Sequence, residues 1–138
     1  MNATKATCDG VTFASGLEKH MYQALKKEKL YEGYENEKFT LIDGFSLSNE
    51  CYERQANGKG EFRERNAGKN VRGITYTPDF CGRDFIIECK GRANESFPIR
   101  WKLFKRLLKE NNDTRTVYKP QTQKECERVV ELIKNSRL

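Results

Sequence analysis

The stretch from Ser46 to Asn70 is built from Asn, Gly, Lys, Arg and Glu, includes Gly58, Gly60 and Gly68, and holds very few apolar residues. Burial of apolar surface is what offsets the conformational entropy lost on folding, so this stretch cannot supply much of a core. A structureless loop of such length inside a compact domain is unusual unless it has a function. The expectation is a polar loop or extended hairpin arm at about 46–70, with the core drawn from the sequence on either side.

At 138 residues the chain has room for one domain with a hydrophobic core and too little for two of typical size, so residues 1–138 are expected to form a single unit. Ser15 through Lys29 places Leu17, Met21, Ala24 and Leu25 at helical spacing behind Ser15 and Glu18, which stand in capping-box register. Lys38 to Phe45 alternates loosely through Phe39, Leu41 and Ile42 and ends at Asp43-Gly44, a strand followed by a turn. Val71 to Phe80 and Phe85 to Lys90 are β-rich runs separated by Cys81-Gly82-Arg83-Asp84, which suits an antiparallel hairpin with a four-residue loop. Ser96-Phe97-Pro98 announces a helix that continues from Ile99 to Glu110 through Trp101, Phe104, Leu107 and Leu108. Thr114 to Lys119 is a short strand closed by Pro120, and Lys124 to Lys134 is an amphipathic helix through Cys126, Val129, Val130 and Ile133. The predicted order is α, β, β, β, α, β, α.

Lys and Arg number 26 against 20 Asp and Glu, a formal charge of +6 with a sequence pI near 9.1. Such an excess favours polyanionic partners, because each cation placed near a phosphate releases condensed counterions; it equally serves a plain solubilising surface. No apolar run approaches the length of a bilayer span, and Met1 to Gly10 lacks the basic and apolar blocks of a secretory signal. A soluble, cytoplasmic protein with no membrane partner is expected. Cys8, Cys51, Cys81, Cys89 and Cys126 are odd in number and form no C-x-x-C unit, which argues against structural zinc. His20 is the single histidine. Any metal here must be held by carboxylates.

Pairing the two runs across the four-residue loop puts Phe80 opposite Phe85, Asp79 opposite Ile86 and Thr77 opposite Glu88. Side chains alternate along a strand, so Asp79, Ile86, Glu88 and Lys90 share one face, and Phe80, Phe85, Ile87 and Cys89 share the apolar other. Asp79 then lies diagonal to Glu88, about 7 to 8 Å away, from which two carboxylates can reach one cation. Magnesium, with manganese as a substitute, suits such an oxygen cage, to which Cys89 could add its backbone carbonyl. Lys90 can orient a water or neutralise charge developing on a phosphate. The plain alternative is an exposed pair, Glu88 and Lys90, on a solvated strand.

Pro78-Asp79, a short interval, and then Glu88-Cys89-Lys90 resembles the PD-(D/E)xK nuclease superfamily. A longer match, through Phe13-Ala14-Ser15-Gly16-Leu17-Glu18, Tyr76-Thr77-Pro78-Asp79-Phe80 and Glu88-Cys89-Lys90-Gly91, is similar to the phage endonuclease I group of Holliday junction resolvases. The resemblance implies a restriction-endonuclease-like α/β (α+β) fold, a central mixed sheet flanked by helices. It implies phosphodiester hydrolysis to 5′-phosphate and 3′-hydroxyl, with Asp79 and Glu88 as metal ligands and a helix-one glutamate, here Glu18, completing the site. Glu18 has a second reading as the acidic member of a capping box, spent on a backbone N–H. The segment from Ser46 to Asn70 is longer than the resemblance leads one to expect, which bears on substrate choice.

Arg100, Lys102, Lys105 and Arg106 flank Trp101 and Phe104 on a helix just past the hairpin and could track a DNA backbone; an ordinary core helix with a solvated basic face would look the same. Branched DNA is the expected substrate, in phage or mobile-element recombination, and paired nicks across a junction call for a homodimer. The same residues admit two alternatives. One is a PD-(D/E)xK nuclease of restriction, transposon-end or repair type, and the other a DNA-binding module of the same fold without the chemistry.

Overall fold

The computed structural model describes residues 4–55, 58–65, 69–91 and 96–138. In chain order its elements are β1 (Ala6–Cys8), β2 (Val11–Phe13), α1 (Gly16–Lys27), β3 (Phe39–Ile42), β4 (Phe45–Ser46), β5 (Tyr52–Arg54), β6 (Phe62–Glu64), β7 (Asn70–Val71), β8 (Ile74–Tyr76), β9 (Phe80–Cys81), β10 (Phe85–Ile87), α2 (Phe97–Glu110), β11 (Thr116–Tyr118) and α3 (Gln123–Ser136). The protein is mixed α+β. It divides into two compact units, Met1–Lys38 with Thr77–Leu138, and Phe39–Tyr76.

In the first unit α1 starts where Ser15, in extended conformation, accepts a hydrogen bond from the Glu18 N–H, and α3 starts the same way on Thr122 and Glu125. The apolar stripes of these two helices, Met21, Tyr22 and Leu25 on α1 and Cys126, Val129, Val130 and Ile133 on α3, form one buried cluster with Phe13, Phe80, Phe85, Ile87 and Cys89. Full burial of a large apolar side chain contributes about 1.5–3 kcal/mol, so this cluster dominates the stability of the unit. Ahead of α1 lies the β1–β2 hairpin, which the expected order omits. Its two-residue turn is Asp9-Gly10, both at positive φ as a tight hairpin turn requires, and the Tyr22 hydroxyl donates to Asp9 at 2.7 Å. Asp-Gly is the sequence signal for it; the flanking runs are too short to show alternation.

The sheet of this unit runs β11-β10-β9, with β10 parallel to β11 and antiparallel to β9. It is mixed, as expected, but among the described residues it is one of five small sheets and not a single central one. The hairpin register also departs from expectation: Ile87 pairs with Phe80 and Ile86 with Cys81. The cause is Gly82. Its N–H donates to the Phe85 carbonyl at 2.9 Å, so the loop shortens to Arg83-Asp84. Pairing can continue this far only because the Phe85 ring fills the space of the absent side chain, 2.4 Å from where a Cβ would stand. The displacement is an even number of residues, so the predicted division of side chains between faces survives it.

The segment after α1 covers the free edge of β9. Tyr34 forms a bridge with Phe80, and the Asn36 side chain both donates to and accepts from the main chain of Cys81. Gly33, at φ +153, turns the chain into this position. On the other side of the hairpin loop, Arg115 closes an ion-pair network with Glu37 and Asp113, each at 2.7 Å.

The second unit is an antiparallel ladder: β3 pairs with β8, β4 with β7 and β5 with β6. It corresponds to the hairpin alternative for 46–70 and extends it to 39–76, breaking the expected strand Val71–Phe80 into β7, β8 and β9. Gly44 and Gly73 permit the close crossing at its bulge, since a Cβ on Gly73 would stand 2.8 Å from the Ile42 carbonyl. Positions 56–57 and 66–68 of the arm, Gly68 among them, lie outside the described residues.

Gly33→Ala tests the edge contact. An added Cβ would stand 2.5 Å from Asn36 Cγ in a backbone region that L-residues rarely adopt, so the Asn36–Cys81 pair must break. Urea denaturation should show a loss of about 2–3 kcal/mol, whereas Gly10→Asn, at an exposed turn that asparagine tolerates, should cost under about 1 kcal/mol.

Candidate functional site

Three carboxylates meet inside the first unit. One oxygen each from Glu18, Glu35 and Asp79 lies within 4.8 Å of the others. Glu18 and Asp79 are 6% and 8% exposed, Glu88 is equally enclosed at 8%, and Glu35 stands at the open side. The face expected to be an open site is therefore largely closed, and Ile86 on it is fully buried.

Each acid is positioned by a different element. Glu18 sits in the first turn of α1, where the Ser15 hydroxyl caps its N–H. Its carboxylate accepts hydrogen bonds from the hydroxyls of Ser15 at 3.2 Å and Tyr34 at 2.6 Å. The two readings of this residue are thus compatible: the cap uses the Glu18 backbone, while the carboxylate is turned toward the cluster. Tyr34 is itself fixed by edge and tilted ring contacts with Phe13 and Phe80, and its hydroxyl is held well above the usual phenol range by burial and by Glu18.

Asp79 precedes β9 directly. Its main-chain carbonyl accepts from the Glu35 N–H at 2.7 Å, and its carboxylate accepts from the Cys89 N–H at 2.8 Å. Burial, then the charges of Glu88 and Glu18, push its pKa up to about 9, against the lowering effect of the Cys89 N–H. Continuing the β9–β10 register sets Asp79 directly opposite Glu88, closer than the diagonal expected.

Beyond β10 the main chain alternates. The Glu88 and Lys90 N–H groups donate to Tyr118 and Pro120, while Cys89 donates to Asp79. That is the pattern of extended backbone, in which the N–H and C=O of one residue point the same way, so the Cys89 carbonyl faces the Asp79 side as a metal ligand would need. The Cys89 side chain enters the core cluster, where the neighbouring Cys126 thiol and burial raise its own thiol pKa.

Lys90 is half-buried, and its ammonium lies 4.8 Å from the centre of the Phe97 ring, at the start of α2. Lys119 shares that ring and the Trp101 ring, at 5.8 and 5.9 Å. Of the cations expected to face DNA, Arg100, Lys102, Lys105 and Arg106 are all exposed on α2, and Arg106 is tied to Glu110 at 2.9 Å. Sequence reasoning missed Glu35 and Lys119. Glu35 lies in an aperiodic stretch with Glu32 and Glu37 and carries no local mark; its left-handed backbone, φ 50, is visible only in the fold. Lys119 adjoins Pro120 at a strand end and could have been singled out only by its place beside Lys90.

A family model described as "Protein of unknown function (DUF1064)" matches residues 1–124. The chain belongs to the DUF1064 family. No curated protein and no solved structure matches it. The span shared with DUF1064 takes in every member of the acidic cluster, Lys90, Lys119 and the whole of α2. No helix among the described residues is long and apolar enough to cross a membrane.

The raised Asp79 pKa has a consequence for stability. The folded chain holds this proton more tightly than the unfolded chain, so the contribution is full below the ordinary 3.8 and is lost as pH rises to about 9. In chelator, the melting temperature should fall between about pH 5 and about pH 9, and Asp79→Asn should remove most of that slope. A slope that is the same in Asp79→Asn would place its origin elsewhere.

Proposed function

We propose that this protein is a divalent-cation-dependent DNA endonuclease of PD-(D/E)xK type, acting on branched DNA and cutting to 5′-phosphate and 3′-hydroxyl. The observation that carries the reading is the convergence of Glu18 from a helix and Asp79 from a hairpin into one nearly buried acidic cluster. Enclosed like charges raise each other's cost of ionisation, and a cation is the ordinary means of removing that cost. The mixed β11-β10-β9 sheet with helices packed on it supports a restriction-endonuclease-like fold.

The donor set fits a hard cation: carboxylates of Asp79, Glu88 and Glu18, and the Cys89 carbonyl, with no sulfur or imidazole among them. Magnesium held there, or manganese in its place, would supply a Lewis acid for a phosphate oxygen and lower the pKa of a water. The chain's own part is positional. Tyr34 and Ser15 orient Glu18, the Cys89 N–H orients Asp79, and Glu35 adds a carboxylate at the open side. Lys90, held over Phe97, offers its ammonium to the negative charge that develops on the phosphate. The exposed cations of α2 and Lys119 would hold the DNA backbone. Two paired nicks require two such sites, so the working species is a homodimer. A binding module without chemistry would gain by exchanging enclosed acids for apolar residues, which weighs against that alternative.

Supercoiled plasmid should be nicked in magnesium and left intact in chelator. Asp79→Ala and Glu88→Ala should each lower the rate by at least about a hundredfold while retaining DNA binding. Glu18→Gln keeps the backbone cap but is a poor ligand, so activity should fall with little change in melting temperature. Lys90→Ala should slow single-turnover cleavage at saturating enzyme more than it weakens binding. Wild-type rates in either Asp79→Ala or Glu88→Ala would remove the assignment.

A further inference from the structure

The β5–β6 ladder presents two unlike faces. Tyr52 pairs with Glu64, Glu53 with Arg63 and Arg54 with Phe62, so alternation sets Tyr52, Arg54, Phe62 and Glu64 on one face. On the opposite face charge is matched: Glu53 meets Arg65 and Glu61 meets Arg63, both at 3.3 Å. On the first face Glu64 is matched by Lys69 at 3.3 Å, and Arg54 has no ion pair among the described residues. The Arg54 guanidinium instead lies across Gly60, where a Cβ would come within 2.8 Å of it.

Beside it, Tyr52 and Phe62 stack with ring centroids 6.5 Å apart and planes 30° apart. They remain 52% and 72% exposed. Single exposed apolar residues are common and need no explanation, but two stacked rings with a cation at their side form a specific chemical surface. It is flanked by Arg54 and by the Glu64–Lys69 pair, so it carries net positive charge in a chain of charge +6. Two aromatic side chains exposed to this degree offer roughly 250 Å², well short of the roughly 800 Å² per partner of a stable protein interface. Nucleobases need far less: each stacks on one ring, and its phosphate answers the neighbouring guanidinium.

We infer that Tyr52 and Phe62 form a stacking platform for unpaired nucleobases, with Arg54 placed for the adjoining phosphate. The inference rests on the DNA reading of the preceding subsection and names the feature of the substrate that the arm would recognise: bases outside a duplex, as at a branch point or bulge.

The test is equilibrium binding of the full chain, in chelator so that no cleavage intervenes, to two DNA probes. One carries a 2-aminopurine in a three-base bulge, and the other is the matching duplex. Wild-type protein should change the 2-aminopurine fluorescence and bind the bulged probe more tightly. Tyr52→Leu with Phe62→Leu should weaken bulge binding at least tenfold, about the loss of one stacked base, and leave duplex binding within about twofold. Tyr52→Phe, which keeps the ring, should bind as wild type. Equal bulge affinity in the double leucine variant would overturn the inference, and so would a loss of self-association in that variant by sedimentation, which would assign the rings to a second copy of the chain. A wild-type protein that stacks the bulged bases but never nicks DNA in magnesium would remove the nuclease reading alone. One that nicks DNA while the leucine variant still binds the bulge as wild type would remove the platform alone.

Discussion

Asp79 is held at both ends. Its main-chain carbonyl takes the Glu35 N–H and its carboxylate takes the Cys89 N–H, so one residue ties the segment after α1 to the chain just past β10. Around that tie, Tyr34 bridges Phe80 and Asn36 pairs with Cys81, and the same contacts bring Glu35 beside Glu18. The geometry of the cluster is thus not separable from the edge of the sheet. A change that loosened the edge would also move the carboxylates apart.

This arrangement carries an electrostatic cost. Two charged carboxylates within 4.8 Å repel by roughly 3 kcal/mol at an effective dielectric constant of about 20, a large part of the stability of a small domain. The hydroxyls of Ser15 and Tyr34 and the Cys89 N–H offset part of it, and burial raises the Asp79 pKa, which favours its uncharged form. Under the nuclease reading, proton and cation are alternative occupants of one site. The apolar cluster of α1, α3 and the hairpin supplies the stability against which the site is maintained.

Much of the fold was legible in the sequence because its long elements are strongly periodic. Ser15 and Glu18 marked the start of α1, and the stripes of α2 and α3 were read to within a few residues. Glu18, Asp79 and Glu88 were singled out from motif and alternation; each is buried, and Glu18 and Asp79 meet Glu35 in the cluster. What escaped was set by details that no period records. The hairpin register turned on Gly82 making way for the Phe85 ring, and the β1–β2 hairpin on an Asp-Gly pair between very short runs. Glu35 depends on a left-handed backbone fixed by a contact far along the chain, and Lys119 on two strands running parallel. The polar arm was recognised by its poverty in apolar residues. Its stacked rings were not, since Tyr52 and Phe62 become neighbours only through pairing.

The most direct measurement is titration calorimetry of magnesium, and separately manganese, into the full chain near neutral pH, in two buffers of different ionisation enthalpy. If the enclosed carboxylates form a cation site whose proton sits on Asp79, binding should occur at one class of site per chain and release about one proton per ion. Asp79→Asn should abolish the proton release. Absence of binding at millimolar ion, or binding whose heat is the same in both buffers, would contradict the central claim that this cluster is built to exchange a proton for a divalent cation.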